Sequence, residues 1–277
     1  MMPRNFSESE THSTEDVMSD RTSTINILGV PIDSLTLAEA QSAVAGFIEN
    51  RNGHPAKAVF FANVHSFHIA GQNSGFFKTL QKADLILPDG SGLKIAGTLF
   101  GQPIRENLNG TDFTPSLLSI AEQKGWTVYL FGGRHGTARA AAASLQATFP
   151  RLSIVGWSNG FLDSAEEAIV AGDMRRKSPD IVLVGLGSPK QEEWIASHRS
   201  DVGAAVCLGV GGLFDFLAGK FRRAPKWMRM LELEWLYRFL QDPKTKWDRV
   251  FIEIPNFLFT VVFEALASGK KSSGGST

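Results

Sequence analysis

WTVYLFGGRHGTARAAAASLQATFPRLSIVGW, residues 126–157, is the stretch on which the fold turns. The apolar run WTVYLF stops at Gly132-Gly133, an Ala-rich stretch with helical spacing (TARAAAASLQATF) follows, and RLSIVGW is a second short apolar run. Short apolar runs bounded by turn residues read as buried strands, and Ala is the best helix former. The segment therefore predicts strand, glycine turn, helix and a second strand, a unit that closes as βαβ with parallel strands.

The same alternation recurs on both sides. Downstream, SAEEAIVAGDMRRKS predicts a helix, DIVLVGLG a strand, KQEEWIASH a helix and AAVCLGVGG a strand. Upstream, INILGVPID predicts a strand, Thr36 and Glu39 a capping box for the amphipathic stretch LAEAQSAVAGFIEN, and KAVFFAN a strand. VHSFHIAGQ and SGFFKTLQKA read as helical pieces, ADLILP as a strand ending at Asp89-Gly90, and SGLKIAGTLFG as a helix. The expected fold class is α/β, a Rossmann-like, mostly parallel sheet flanked by helices, with a basic, aromatic, helical C-terminal appendage. Residues 1–24 and 269–277, rich in Ser, Thr, Gly and charge, are expected to be disordered tails. The α/β domain is expected over 25–217, as two lobes of about 25–115 and 116–217, and the appendage over 218–268.

With 277 residues and 43% hydrophobic content the chain can bury a sizeable core. Net charge is zero, yet residues 220–249 hold nine Lys/Arg against four Asp/Glu, leaving nineteen against twenty-four elsewhere. A basic segment of this kind suits an anionic membrane, a pyrophosphate or a nucleic acid, or is a solvated helix face. No basic start followed by an apolar run resembles a secretory signal, and a lone Cys207 fits a reducing compartment as a buried strand residue, so the cytoplasm is the expected location.

Ligands of open α/β sheets bind beyond the carboxyl ends of the strands. Gly132, Gly133 and the loop to Gly136 either cradle a phosphate with backbone N–H groups or serve a steric turn. In VGLGSPKQEEW, Gly185 and Gly187 shape a turn and Lys190, Gln191 and Glu192 start a helix, as ligand contacts or as an ordinary capped terminus. GVGGLFDFLAG brings Gly212, Phe214 and Asp215, the acid being a binding group or an N-cap. Asn63 and Asp89 end two strands of the first lobe at the same predicted edge. A carboxylate there can take a proton from an attacking hydroxyl, although a PDG turn needs an Asp for its own geometry. The chain has no Asp-x-Asp, HExxH, cysteine cluster or GxxxxGK[ST] pattern, and His65 with His68 lacks an obvious third ligand, so no metal and no cofactor are expected. A nicotinamide dehydrogenase would need a full GxGxxG with a later acid, which is missing. A nucleotide-binding peripheral membrane scaffold would explain the appendage but leave Asn63, Asp89 and Gln191 without a reason to converge.

Taken in order, Asn63, LPDG (87–90), NGTD (109–112), FGG (131–133), VGLGSPKQE (184–192), GVGGLFDFLAG (209–219), RAP (223–225) and LEWLYR (233–238) resemble the WecG/TagA/CpsF glycosyltransferases over about Asn26 to Arg249. The resemblance implies a family 26 enzyme that uses a UDP-sugar donor and a polyprenyl-diphosphate-linked sugar acceptor, inverts the anomeric centre and needs no metal. It also implies Asp89 as base, with Asn63 and Gln191 in the site, in a pathway of cell-envelope polymer, capsule or exopolysaccharide assembly. One departure stands out. Where the family commonly reads E-R-V-x-G-x-D, this chain reads IRENLNGTD, with Asn107 in the arginine's place and Arg105 two residues earlier. Either Arg105 reaches the same spot by another route, or another cation supplies the lost charge. The wording resembles the exopolysaccharide branch, including the xanthan-type glucosyltransferase, which makes glucose the first expected sugar and N-acetylmannosamine or N-acetylmannosaminuronate the alternative.

Backbone N–H groups near Gly132 and Gly187, Gln191 and arginines are expected to hold the leaving diphosphate. Arg222, Arg223, Arg229, Arg238, Lys246 and Arg249, interleaved with Trp, Tyr and Phe, are expected at the acceptor pyrophosphate or the cytoplasmic face of the inner membrane, with no nucleic-acid partner. VFIEIPNFLFTVVFEALA carries Glu253, Pro255, Asn256 and Glu264, which argues for a helix lying on the membrane or packed in a core or homo-oligomer rather than one that spans.

Overall fold

The structure, a computed structural model, describes residues 23–52, 55–221, 223–231 and 233–273, with the backbone alone described for Thr245 and 268–273. Arg222 lies outside the described residues, as do 1–22 and 274–277 of the two tails.

In chain order the elements are β1 (Thr24–Ile27), β2 (Val30–Asp33), α1 (Leu37–Glu49), β3 (Lys57–Ala62), α2 (Val64–Gln72), α3 (Ser74–Gln81), β4 (Leu85–Pro88), α4 (Ser91–Leu99) and α5 (Gly110–Lys124). There follow β5 (Thr127–Gly132), α6 (Thr137–Thr148), β6 (Ser153–Ser158), α7 (Ser164–Lys177), β7 (Ile181–Gly185), α8 (Lys190–His198), β8 (Val206–Gly209) and α9 (Leu213–Leu217). The appendage is α10 (Lys226–Met230), α11 (Glu234–Gln241), α12 (Pro243–Asp248), a π turn (Arg249–Glu253) and α13 (Ile254–Ser273), so helix continues five residues into the stretch read as a tail.

The expected Rossmann-like sheet is present. Six parallel strands lie in the order β4-β3-β8-β7-β5-β6. The stretches 25–115 and 116–217 share this one continuous sheet, because β8, last in sequence, pairs with both β3 and β7. Helices cover both faces, and side-chain alternation sorts the core accordingly. Ala58, Phe60, Ile86, Tyr129, Phe131, Val182, Val184 and Cys207 face one buried layer. Val59, Phe61, Leu85, Leu87, Val128, Leu130, Ile181, Leu183, Val206 and Leu208 face the other. Burial pushes the Cys207 thiol up to about 12, as fits a packing residue without chemistry.

INILGVPID is a hairpin and not the single strand expected. Leu28 (φ 48°) and Gly29 (φ 84°) both take left-handed backbone, which a two-residue hairpin turn requires, and Asn26 Oδ1 accepts the Gly29 N–H at 2.8 Å. The hairpin protects the sheet edge: the buried Asp33 carboxylate accepts the Ile86 N–H of β4 at 2.7 Å. The capping box of Thr36 and Glu39 starts α1 as expected.

The appendage folds back over the carboxyl ends of β3 and β4. Lys246–Ala267 is long and apolar enough to cross a membrane by length and composition, but that is one face of the story. Phe257 and Val261 are buried against the body, with Phe67 and Phe257 rings 5.3 Å apart, whereas Phe259, Phe263 and Leu266 are well exposed. Two of the residues read as obstacles to spanning, Glu253 and Pro255, have structural uses. Glu253 turns inward, and Pro255, which lacks an N–H and crowds the carbonyl four residues before it, comes two residues after the end of the widened π turn, which the Ile254 N–H closes on Arg249 O.

Candidate active site

β3 and β4 are parallel with Ala62 opposite Pro88, so the next residues, Asn63 and Asp89, come side by side at the strand ends. Each also does a local job. Asn63 caps α2, its Oδ1 accepting the Ser66 N–H at 3.3 Å, which turns its Nδ2 to donate to Asp89 Oδ2 at 3.3 Å. Asp89 N–H bonds Ala62 O at 2.8 Å, and Gly90 (φ 104°) turns the chain into α4 with a backbone that a side chain would strain. Asn107, at the position where the resemblance led an arginine to be expected, accepts the Gly90 N–H on its Oδ1 at 2.7 Å and so braces the turn that carries Asp89.

Asp89 stands between two cavities that share Asn63, Arg238, Lys246 and Arg249 in their walls. The first, about 360 Å³, extends over Gly187, Ser188, Gln191, the Gly209–Gly212 loop, Asp215 and Phe216. The second, about 370 Å³, opens over Gly90–Gly92 at the start of α4 and over Ile95, Trp235, Ile254 and Leu258, with Arg229 in the wall. Burial holds Asp89 above the ordinary carboxylate range; the charges of Arg238 and Arg249 and the Asn63 hydrogen bond pull it down, and Glu234 pushes it up. Such a carboxylate is a stronger base than one in water.

The first cavity is built by a buried network. Gln191 Oε1 accepts the Gly211 N–H at 2.8 Å and its Nε2 donates to Glu192 Oε1 at 2.9 Å, which also accepts Ser188 Oγ–H at 2.7 Å. Gln191 thereby holds the β8 loop against the β7 loop. Glu192 is almost fully buried behind it and does not line the cavity, so its role is support and not the sugar contact expected; burial raises its carboxyl above the usual range despite those hydrogen bonds. Asp215 lines the cavity in ion-pair contact with Lys220 at 3.0 Å.

Several expected residues stand elsewhere. Arg105 is exposed and pairs with Glu39 on α1 at 2.7 Å, away from both cavities, because its backbone is drawn to the hairpin side by the Ser34 hydroxyl at 3.0 Å. Gly132 and Gly133 pack between strands: a Cβ on Gly132 would come within 2.4 Å of Gly185 O, and Gly133 N–H bonds that oxygen at 2.8 Å. Gly185 makes room for the buried Phe214 ring, and Lys190 lies over Phe161 at 5.1 Å; none of these four residues lines either cavity. Arg223 is tied to Asp112 at 2.8 Å. The cations that do reach Asp89's surroundings come from the appendage. Arg238 pairs with Glu234 at 3.0 Å and sits 4.9 Å over the Phe216 ring. Among the described residues, buried guanidinium nitrogens of Arg223, Arg229 and Arg238 have no hydrogen-bond partner.

His65, Thr111, Phe216, Trp235 and Asn107 border the cavities without having stood out in the sequence as part of a binding site. Thr111, Phe216 and Trp235 lay inside the family-like motifs and Asn107 marked the departure from them, whereas His65 stood out as half of a histidine pair, and that pair separates: His65 Nδ1 meets Glu253, while His68 Nε2 meets Gln72 at 3.1 Å.

The sequence model of the glycosyl transferase WecG/TagA/CpsF family matches residues 25–271. A Bacillus spizizenii protein named N-acetylglucosaminyldiphosphoundecaprenol N-acetyl-beta-D-mannosaminyltransferase is 32% identical over 243 residues, 87% of this chain and 93% of its own length. A Staphylococcus aureus protein of the same name is 31% identical over 242 residues, covering 87% of this chain and 92% of its own. A Bacillus subtilis one is 33% identical over 189 residues, 68% and 72% of the two chains. A strand-end Asn–Asp pair between two cavities, on a parallel sheet that matches this family along nearly its whole described length, leads to one assignment: the chain belongs to the WecG/TagA/CpsF family of glycosyltransferases.

Proposed function

We propose that this enzyme transfers N-acetylmannosamine from its UDP derivative to an N-acetylglucosaminyl-diphosphate-polyprenol, with inversion and without a metal. The sugar assignment draws on the names of the relatives and replaces glucose, which the ENLNGTD wording favoured; glucose becomes the competing arm of the test. The observation that carries the reaction type is the position of Asp89 in the wall between two cavities, hydrogen-bonded by Asn63.

In this reading the donor occupies the cavity of the glycine loops and the acceptor the cavity beside α4. The acceptor's sugar hydroxyl attacks the anomeric carbon, its proton passes to Asp89, the carbon–oxygen bond to the diphosphate breaks on the opposite face, and UDP leaves with the electron pair. The second cavity suits a lipid diphosphate: Arg229, Arg238, Lys246, Arg249 and the first N–H groups of α4 offer positive potential, and Ile95, Trp235, Ile254 and Leu258 offer an apolar exit. The exposed side of α13 supports peripheral seating on an anionic membrane, where the acceptor's chain is anchored.

The test is a panel of UDP-sugars with a short-chain lipid-diphosphate N-acetylglucosamine acceptor in EDTA. N-acetylmannosamine transfer that persists in EDTA is expected. Glucose transfer alone would overturn the sugar, and loss of turnover in EDTA would overturn the metal-free chemistry.

A further inference from the structure

Glu253 is a carboxylate nearly sealed from solvent, 6% exposed, at the end of the π turn. Both of its oxygens meet one atom, His65 Nδ1, at 3.0 and 2.9 Å. His65 is the second residue of α2, two positions after Asn63, and lines the same cavity as Asp89. Burying a carboxylate costs free energy unless a charged or donating partner is at hand, and His65 is that partner.

The π turn makes this contact matter at the reaction centre. Arg249 opens the turn and Glu253 closes it. A π turn has about four and a half residues per revolution, so residues four apart point nearly the same way, here toward the body of the protein. One residue thus reaches His65 on α2 while the other reaches the two cavities beside Asp89, whose charge acts on Arg249. Burial works against the Arg249 charge, so the guanidinium needs its backbone held to stay at the cleft.

We propose that Glu253 is a positioning residue: its contact with His65 clips the π turn to the start of α2 and thereby holds Arg249 beside Asp89 for the transfer reaction. The inference rests on the transferase reading for its assay. The Glu253 carboxylate touches neither donor nor acceptor cavity and acts through Arg249.

The experiment is a double-mutant cycle of Glu253→Ala and Arg249→Ala in the full chain, read as kcat and donor KM in the sugar-transfer assay. Glu253→Ala is expected to lower kcat about tenfold with donor KM held within about twofold, and to add nothing once Arg249 is already Ala. Glu253→Gln, which can still accept the Nδ1–H, is expected to recover most of the rate. His65→Ala, on the partly exposed side of the contact, serves as the second variant should Glu253→Ala fail to fold, and should show the same overlap with Arg249→Ala. Losses that multiply independently, or a wild-type kcat in Glu253→Ala, overturn the inference with the transferase reading intact. Absence of transfer by the wild-type protein overturns that reading, and this inference falls with it.

Discussion

Asn63 donates its side-chain amide to Asp89, Nδ2 to Oδ2 at 3.3 Å, across two strands that the chain separates by two helices. The contact follows from register: Ala62 lies opposite Pro88, and the next residue of each strand is the functional one. Because the same Asn63 side chain caps α2, the amide is fixed before any substrate arrives. On the proposed reading, a hydroxyl approaching Asp89 from the second cavity meets an oriented carboxylate.

Asp89→Asn should reduce kcat about a thousandfold with little change in donor KM, since the amide keeps the hydrogen-bonding shape but takes up no proton. Steady-state kinetics with the short-chain acceptor checks this. A fall in kcat below about tenfold would remove Asp89 as the base.

The same substitution should stabilise the fold at neutral and higher pH. Asp89's folded pKa lies above its unfolded one, so ionisation weakens the native state as pH rises through the folded value, and below the unfolded value the group is neutral in both states. Thermal melts of wild type and Asp89→Asn should therefore coincide in acid and separate, with the variant higher, as pH increases. The reverse order would contradict the burial argument.

The acid limb of the kcat profile should lie above the ordinary carboxylate range, and Arg238→Met should push it further up. Burial raises Asp89 and Glu234 adds to it, whereas Arg238, Asn63 and Arg249 oppose it, so removing a cation removes a downward pull. A limb that moves down in Arg238→Met would show that the arginine does not act on this carboxylate.

Asn107→Ala should cost about 1 kcal/mol of stability, the worth of one partly buried hydrogen bond, and lower kcat by loosening the Asp89-Gly90 turn. Arg105→Ala, by contrast, should leave kcat and donor KM unchanged, because its partner is the exposed Glu39 and neither cavity includes it. Measured together, the two variants test whether Asn107 took over the site's local role while the charge moved to the appendage.

Phe259→Glu with Phe263→Glu should reduce sedimentation with anionic liposomes while leaving turnover of a water-soluble acceptor intact. Both rings are exposed on α13, at 74% and 62%, and neither lines a cavity, whereas their helix neighbours Ile254 and Leu258 do. Sedimentation equal to wild type would refute a membrane role for that face.

The alternation of apolar runs and helical periods determined the parallel α/β sheet, because strand and helix formation answer to spacing within a few residues. The strand-end positions of Asn63 and Asp89 were legible for the same reason: a polar residue that ends a buried run in such a sheet sits at the ligand edge. Arg105 shows where local reading stops. Two residues from Asn107 in sequence, it turns to α1, while the cations near Asp89 come from helices more than a hundred residues later. Gly132 and Glu192 sit in recognisable motifs, yet their duties, close packing against Gly185 and support of Gln191, depend on β7 pairing with β5 and on the loop after β8 lying beside α8. Only tertiary structure decided those matters. Which charges share a cleft, and which carboxylate is sealed from water, depends on distances between elements that chain spacing leaves free.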